Sequence, residues 1–369
     1  MKNGIDISQF DHLMVGASSI NRSDLVFYNV KEKPFDLYGF YDPQNKDFFK
    51  RLPDDVAVAT SNGVALLYKC TAGGRVRFST DSDCVAISVK EPRIHRMYHA
   101  TLMMSAGFDI YLDNPETGSS VFYDIFKTPY EMTDGYTALI TFPDRRTRYL
   151  TINFPLYGEV SEMYVGLCEG ATLGEGAKYA VEKPIVFYGS SITQGGCASR
   201  AGIAYTSIVS RELNADHLNL GFSGSGKAQE PIVNYMSGLN MSMFVSDYDH
   251  NAPDVEYLLN THYKMYEKIR TANPELPYVM ISRPDFVQND TGFNESIARR
   301  KVIIDSFHRA RVENGDKNVY FIDGEGFFNN EFFDCTTVDG IHPTDYGMVC
   351  MAQKIGLVLR QILKFSDLR

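Results

Sequence analysis

The stretch IVFYGSSITQGG, residues 185–196, decides the reading of the fold. Ile185 to Tyr188 form a short apolar run with the composition of a strand buried on both faces. Gly189 follows at once, then Ser190 and Ser191, then the pair Gly195-Gly196. A buried strand that ends in glycine and passes into a helical turn presents its serines at the carboxyl edge of a sheet. In open parallel sheets that edge is where ligands bind.

Working outward, the same punctuation repeats towards the C-terminus. Leu218–Leu220, Met243–Val245, Tyr278–Ile281 and Val319–Ile322 read as further buried strands. Helical periodicity lies between and after them. Val255, Leu258, Leu259, His262, Tyr266 and Ile269 recur at i, i+3, i+4 spacing, as do Ala352, Ile355, Leu359, Ile362 and Leu363. Strands alternating with helices predict a three-layer α/β/α domain around a five-stranded parallel sheet, over residues 176–369.

Towards the N-terminus the period falls to two. Val76/Phe78, Val85/Ile87/Val89, Phe108/Ile110/Leu112 and Leu150/Ile152/Phe154 each put apolar side chains on one strand face. Turn residues separate them at Gly73-Gly74, Asp81 to Asp83, Asn114-Pro115 and Pro143-Asp144. Residues 1–175 therefore read as an antiparallel, jelly-roll-like β-sandwich, an accessory domain that could touch substrate.

Composition narrows the function. The 369 residues carry a net charge of −10 and no tryptophan. Nucleic acid and an anionic membrane surface are disfavoured partners, since phosphates would be repelled. The opening MKNGIDISQFDHLMVG lacks a signal-peptide core, so the chain reads as cytoplasmic. The six cysteines, Cys70, Cys84, Cys168, Cys197, Cys335 and Cys350, show no CxxC pair and read as free thiols. A Cys70–Cys84 bridge across a hairpin is the alternative, but the fold does not need it. No zinc-ligand spacing is present, and neither a metal nor another cofactor is expected.

The chemistry-bearing residues stand just after the strands. Ser191 follows the first; alone, a serine in a turn more often caps its own backbone than attacks a substrate. Gly221-Phe222-Ser223-Gly224-Ser225-Gly226 follows the second, with backbone N–H groups able to face an anion. Asp247-Tyr248-Asp249-His250-Asn251 follows the third. Near the C-terminus, Asp339 and His342 are three residues apart, so the carboxylate can orient the imidazole and leave Nε2 free to take the Ser191 proton.

Together these blocks resemble the SGNH (GDSL-like) hydrolase superfamily. Its first block, Gly-Asp-Ser-Ile/Leu, is GSSI here, with Ser190 in place of the aspartate. The resemblance implies Ser191 as nucleophile, with His342 and Asp339 completing the triad. It implies an oxyanion hole of the Ser191 N–H, the Gly224 N–H and the Asn251 amide; the third block, usually Gly-x-Asn-Asp, reads DYDHN. Removing one such donor typically costs about 2.7–4 kcal/mol of transition-state stabilisation. Upstream, GFDIYLD (Gly107–Asp113) resembles a motif of the sandwich domain that precedes one bacterial branch of these enzymes. Within that branch the layout is similar to intracellular mannan O-acetylesterases, which implies an acetylated oligosaccharide as partner.

His250, Asp249 and Arg283 are candidate substrate contacts, because Asp247, Tyr248, Asp249, His250, Arg283 and Asp285 crowd polar groups after the strands. Rival readings remain. GFSGSGKA (221–228) mimics a phosphate loop but lacks the final Ser/Thr. Asp247, Asp249, His250 and His342 could serve a metal hydrolase. A short-chain esterase of non-sugar esters, or a non-catalytic carbohydrate-binding protein on the same fold, is the alternative function. His262 reads as a core histidine, and His12, His95, His99 and His217 as surface or packing residues.

Overall fold

Five parallel strands form the centre of the C-terminal half: β1 (Val181–Gly189), β2 (Ala215–Gly221), β3 (Met243–Asp247), β4 (Tyr278–Ile281) and β5 (Val319–Ile322). Their spatial order is β2-β1-β3-β4-β5. The computed structural model describes residue 20 and residues 22–284, 290–328 and 332–366. The chain leaves β1 towards one side of the sheet and returns to place β3 on the other. This creates a switch point, with its crevice, at the carboxyl ends of β1 and β3. Register lines up Gly189 with both Gly221 and Asp247, so three of the motif-bearing segments leave the sheet side by side.

Helices cover both faces, as apolar stripes on doubly wound sheets require. On one face pack α1 (Glu230–Ser237), α2 (Val255–Ala272) and α3 (Asp290–His308), burying Ile232, Met236, Leu258, Tyr266, Ile269 and Ile303 against Val186, Phe244 and Met280. On the other lie α4 (Tyr205–Leu213) and α5 (Asp345–Ser366), with Val209, Met351, Ile355 and Leu359 against Ile185, Phe187 and Val279. Leu259, expected on the buried stripe of α2, is exposed. With Leu258 already facing the sheet, the next residue along a helix points about 100° away.

The N-terminal half is a sandwich. One sheet runs Leu25–Asn29, Glu162–Cys168, Cys84–Lys90, Gly135–Thr141. The other runs Leu173–Glu175, Arg75–Thr80, Arg148–Asn153, Phe108–Asp113, Ser120–Phe126, with Asp36–Tyr38 on Arg75–Thr80. Every ladder between these strands is antiparallel. Val76, Phe78, Val85, Ile87, Phe108, Ile110, Leu150 and Ile152 are fully buried between the sheets, each worth about 1.5–3 kcal/mol against exposure. Phe154 joins an edge-to-face aromatic cluster with Phe40 and Phe108. Cys70 and Cys84 are separate buried thiols with no bridge between them.

Two short helices, Asp54–Thr60 and Asn62–Leu67, interrupt the β pattern of this half. They pack Ala57, Val64 and Leu67 onto the parallel-sheet core, so the two halves share apolar surface. Polar ties reinforce the junction. Arg200 donates to Asp109 and to the Tyr111 hydroxyl, both at 2.7 Å, within the GFDIYLD segment. The same carboxylate accepts the Gly202 N–H at 2.8 Å. Arg75 forms a buried ion pair with Asp216.

Candidate active site

Ser191 opens a one-turn helix, Ser191–Gln194, whose N-cap is Ser190. The Ser190 hydroxyl accepts the Ile192 N–H at 3.1 Å. A serine at the aspartate position of the first block thus does the capping an aspartate would do. Gly195 ends the turn in the left-handed region, φ +101°, and a side chain there would strike Leu156. The turn is pinned from below. Gln194, wholly buried, accepts the Ser223 N–H at 3.0 Å and donates to the Leu156 carbonyl at 3.2 Å. One side chain thereby joins the serine turn, the turn after β2 and the sandwich.

Ser191 Oγ lies 2.9 Å from His342 Nε2, and His342 Nδ1 lies 2.7 Å from Asp339 Oδ2. The other carboxylate oxygen of Asp339 accepts the backbone N–H groups of Ile341 and His342, at 3.0 and 2.7 Å. Partial burial pushes the Asp339 carboxyl up, but these hydrogen bonds and the adjoining imidazole hold it below the usual carboxylate range. An ionised Asp339 keeps the proton of His342 on Nδ1, leaving the Nε2 lone pair for the serine. Ser191 retains 8% of its surface, enough for one atom to be approached.

Neither the Ser191 N–H nor the Gly224 N–H is donated within the protein among the described residues. Gly224 sits at φ +66° with open space around it, so glycine is needed for the backbone conformation rather than for room. Asn251 ends a single 3-10 turn, Asp249–Asn251, after β3. Its Oδ1 accepts the Gly226 N–H at 3.2 Å, which fixes the amide and leaves its NH₂ as the donating end. Such an arrangement can hold an ester, accept a serine proton and stabilise an oxyanion.

The polar residues after β3 are placed differently from the expectation. Asp247 is buried beneath the serine turn, accepting from Tyr205 at 2.8 Å and Thr193 at 3.1 Å. Burial, aided by the charge of Asp249, pushes its carboxyl up to about 7 despite those two hydrogen bonds. Tyr248 is buried, stacked on His262, with its hydroxyl on Thr261 at 2.9 Å. Asp249 is buried; its Oδ2 accepts the Arg283 N–H at 3.0 Å, while its Oδ1 is buried without a partner, so the carboxylate is not on the open surface. The Arg283 side chain donates to Ser296 at 2.9 Å. His250 is half-buried; desolvation, with Arg283, His342 and Arg299 nearby, holds its imidazole well below the usual histidine range. Asp285 lies outside the described residues. Asp247, Asp249, His250 and His342 do not form a metal-ligating group among the described residues. His99, read as a surface or packing residue, lies beside His342, ring centroids 5.7 Å apart.

Residues 182–360 match the GDSL-like lipase/acylhydrolase family, and residues 25–173 match the N-terminal domain of SGNH-hydrolase-type esterases. The chain belongs to the SGNH (GDSL-like) hydrolases. No curated protein sequence matches it. A candidate GDSL-like lipase from Bacteroides ovatus superposes with a TM-score of 0.82 at 24% identity, covering 92% of this chain and 98% of its own. The salicylyl-acyltransferase SsfX3 of a tetracycline biosynthetic pathway gives 0.72 at 17%, covering 90% and 96%. An acetyl xylan esterase from the rumen bacterium Butyrivibrio proteoclasticus gives 0.57 at 12%, covering 93% and 99%. These likenesses establish the fold across both halves of this SGNH hydrolase. The family itself makes the chain an SGNH-type esterase of the GDSL-like lipase/acylhydrolase class. No described helix is long and apolar enough to cross a membrane.

Proposed function

We propose that this SGNH hydrolase is a serine esterase that removes acetyl groups from carbohydrate, with residues 176–369 as its catalytic domain. The observation that carries the chemistry is the unbroken relay from Ser191 Oγ through His342 to Asp339, at 2.9 and 2.7 Å. Ser191 attacks the ester carbonyl as its proton passes to His342 Nε2. The oxyanion takes hydrogen bonds from the Ser191 and Gly224 N–H groups and the Asn251 amide. Collapse breaks the bond to the sugar oxygen, which leaves with the proton from His342. Water then gives its proton to His342 and attacks the acetyl-serine, releasing acetate and restoring Ser191.

The carbohydrate assignment has separate support. Acetyl xylan esterase and carbohydrate esterase family two share the fold of both halves, and one member of that family was solved with cellohexaose. Tyr98, fully exposed, stands next to His99 on the His342 side of the site, where a sugar ring can stack.

Acetate release from acetylated mannan, xylan and chitooligosaccharides, with Ser191→Ala as control, tests the reading. Loss of release in the variant supports the serine chemistry. A higher kcat/KM for p-nitrophenyl octanoate than for the acetate would overturn the acetyl assignment in favour of longer non-sugar esters.

A further inference from the structure

Cys197 and His99 have no part in the reaction above, yet both stand beside its base. One ligand atom from each of His99, Cys197 and His342 lies within 4.8 Å of the others, the one such convergence among the described residues. His99 belongs to the sandwich half, in the segment between the strand Arg93–Ile94 and the helix Leu102–Ala106. Its Nδ1 is buried without a hydrogen-bond partner. A buried polar atom left unmet costs about 1–3 kcal/mol, which a ligand at this point would relieve. Cys197 follows the glycine pair that ends the serine turn. It is held at φ +69°, a conformation uncommon for any side chain but Asn, Asp or His. Its N–H donates to Met104 Sδ at 3.2 Å, and its Sγ lies 3.7 Å from the His99 carbonyl oxygen.

We propose that His99, Cys197 and His342 form a Zn2+ site whose occupation takes the imidazole of His342 away from Ser191 and switches the esterase off. Two imidazoles and a thiolate suit zinc, whereas magnesium and calcium require oxygen ligands. Zn–N and Zn–S bonds of about 2.0–2.3 Å place tetrahedral ligand atoms roughly 3.3–3.8 Å apart, so small side-chain rotations close the site. Water takes the fourth position. On binding, Cys197 releases its thiol proton to solvent and forms the Zn–S bond. Both histidines bind through neutral nitrogens. Asp339 already holds the Nδ1 side of His342, so Nε2 is the donor, and a carboxylate behind a ligating histidine strengthens it as a ligand. Ser191 then loses its proton acceptor.

The loss of activity rests on His342 being the proposed base, whereas the binding does not. Metal-free protein is titrated with Co2+, whose thiolate charge-transfer absorption reports a Co–S bond, and Zn2+ is used to displace it. In parallel, Zn2+ inhibition of p-nitrophenyl acetate hydrolysis and its reversal by EDTA are followed. The absorption band should saturate at one equivalent. Cys197→Ser and His99→Gln should keep wild-type turnover while raising the half-inhibiting Zn2+ concentration at least about tenfold, since loss of even an outer-shell partner of a metal ligand costs about 10–100-fold in affinity. Should Cys197→Ser fold poorly, Cys197→Asn replaces it, since asparagine tolerates the positive φ. Ser191→Ala should take up Co2+ like wild type, which separates a failure of the site from a failure of the esterase reading. Absence of the cobalt–thiolate band, or inhibition unchanged in both variants, would overturn the proposal.

Discussion

Arg51 of the sandwich half donates through Nη1 to the carbonyl of Gly221, the last residue of β2, at 2.6 Å. The guanidinium is completely buried, and its other contacts are the carbonyls of Asn219, Cys70 and Leu67 at 3.0, 2.7 and 2.8 Å. It lies over the ring of Phe222, 4.5 Å from its centroid. Burial pulls its pKa down to about 10, which still leaves the cation charged at neutral pH. The sandwich therefore reaches the root of the turn that carries Gly224. The sandwich half is thus part of how the backbone proposed to bind the oxyanion is held.

Arg51→Met keeps an unbranched apolar stem but removes all of those donors. The expected loss is roughly 3–5 kcal/mol of stability, the scale of leaving buried polar partners unpaired. Urea unfolding measures it. Below the melting range of the variant, kcat should fall with little change in KM, because the substrate surface is untouched while the Gly224 turn loosens. A variant as stable and as fast as wild type would show that Arg51 is only packed there.

Asp247 gives a pH-dependent signature. Its folded-state pKa is raised to about 7 from the ordinary 3.8. Between those values the native state keeps a proton that the unfolded state releases, so this group's contribution falls as pH rises and is fully lost above about 7. The difference is on the order of 4 kcal/mol. Asp247→Asn keeps an acceptor for Tyr205 and Thr193 and does not titrate. Relative to wild type it should gain stability between pH 5 and pH 8, measured by urea unfolding at both values. A constant difference would mean that Asp247 is ionised in the folded state throughout.

The sequence shows much of this architecture and hides the rest for physical reasons. The five parallel strands are legible because each is an apolar run too short for a helix. The order of Ser191, Gly224, Asn251, Asp339 and His342 is legible because each follows a strand or precedes the last helix. The helices Asp54–Thr60 and Asn62–Leu67 are too short to show a helical period. Asp247 and Asp249 looked substrate-facing because they follow a strand; only the fold shows Tyr205, Thr193 and the Arg283 backbone closing over them. His99 and Cys197 stand 98 positions apart, and no local pattern announces that they meet beside His342.

Asp339 tests the orienting role separately from the nucleophile. Asp339→Asn can still accept the Ile341 and His342 backbone N–H groups through one oxygen, so the loop should keep its shape. Turned towards His342, its amide nitrogen would stabilise the wrong tautomer, with the proton on Nε2. The expected fall in kcat is about 10⁴-fold, with stability near wild type by thermal melting. A loss of tenfold or less would remove Asp339 from the relay.

Asn251 can be probed without emptying its site. Asn251→Asp preserves size and can still accept the Gly226 N–H through one oxygen, which the wild-type amide does at 3.2 Å. What changes is the other end: a donating NH₂ becomes an oxygen that repels the developing oxyanion. Asn251→Ala, by contrast, removes the donor and also leaves the Gly226 N–H unmet. If Asn251 stabilises the tetrahedral intermediate, both variants should lose at least about 10²–10³-fold in kcat on p-nitrophenyl acetate, with KM little changed. The aspartate variant should be the slower of the two, because it adds repulsion while holding the turn more firmly. The reverse ranking, with the aspartate variant near wild type and the alanine variant impaired, would mean that Asn251 serves the turn after β2 and not the oxyanion.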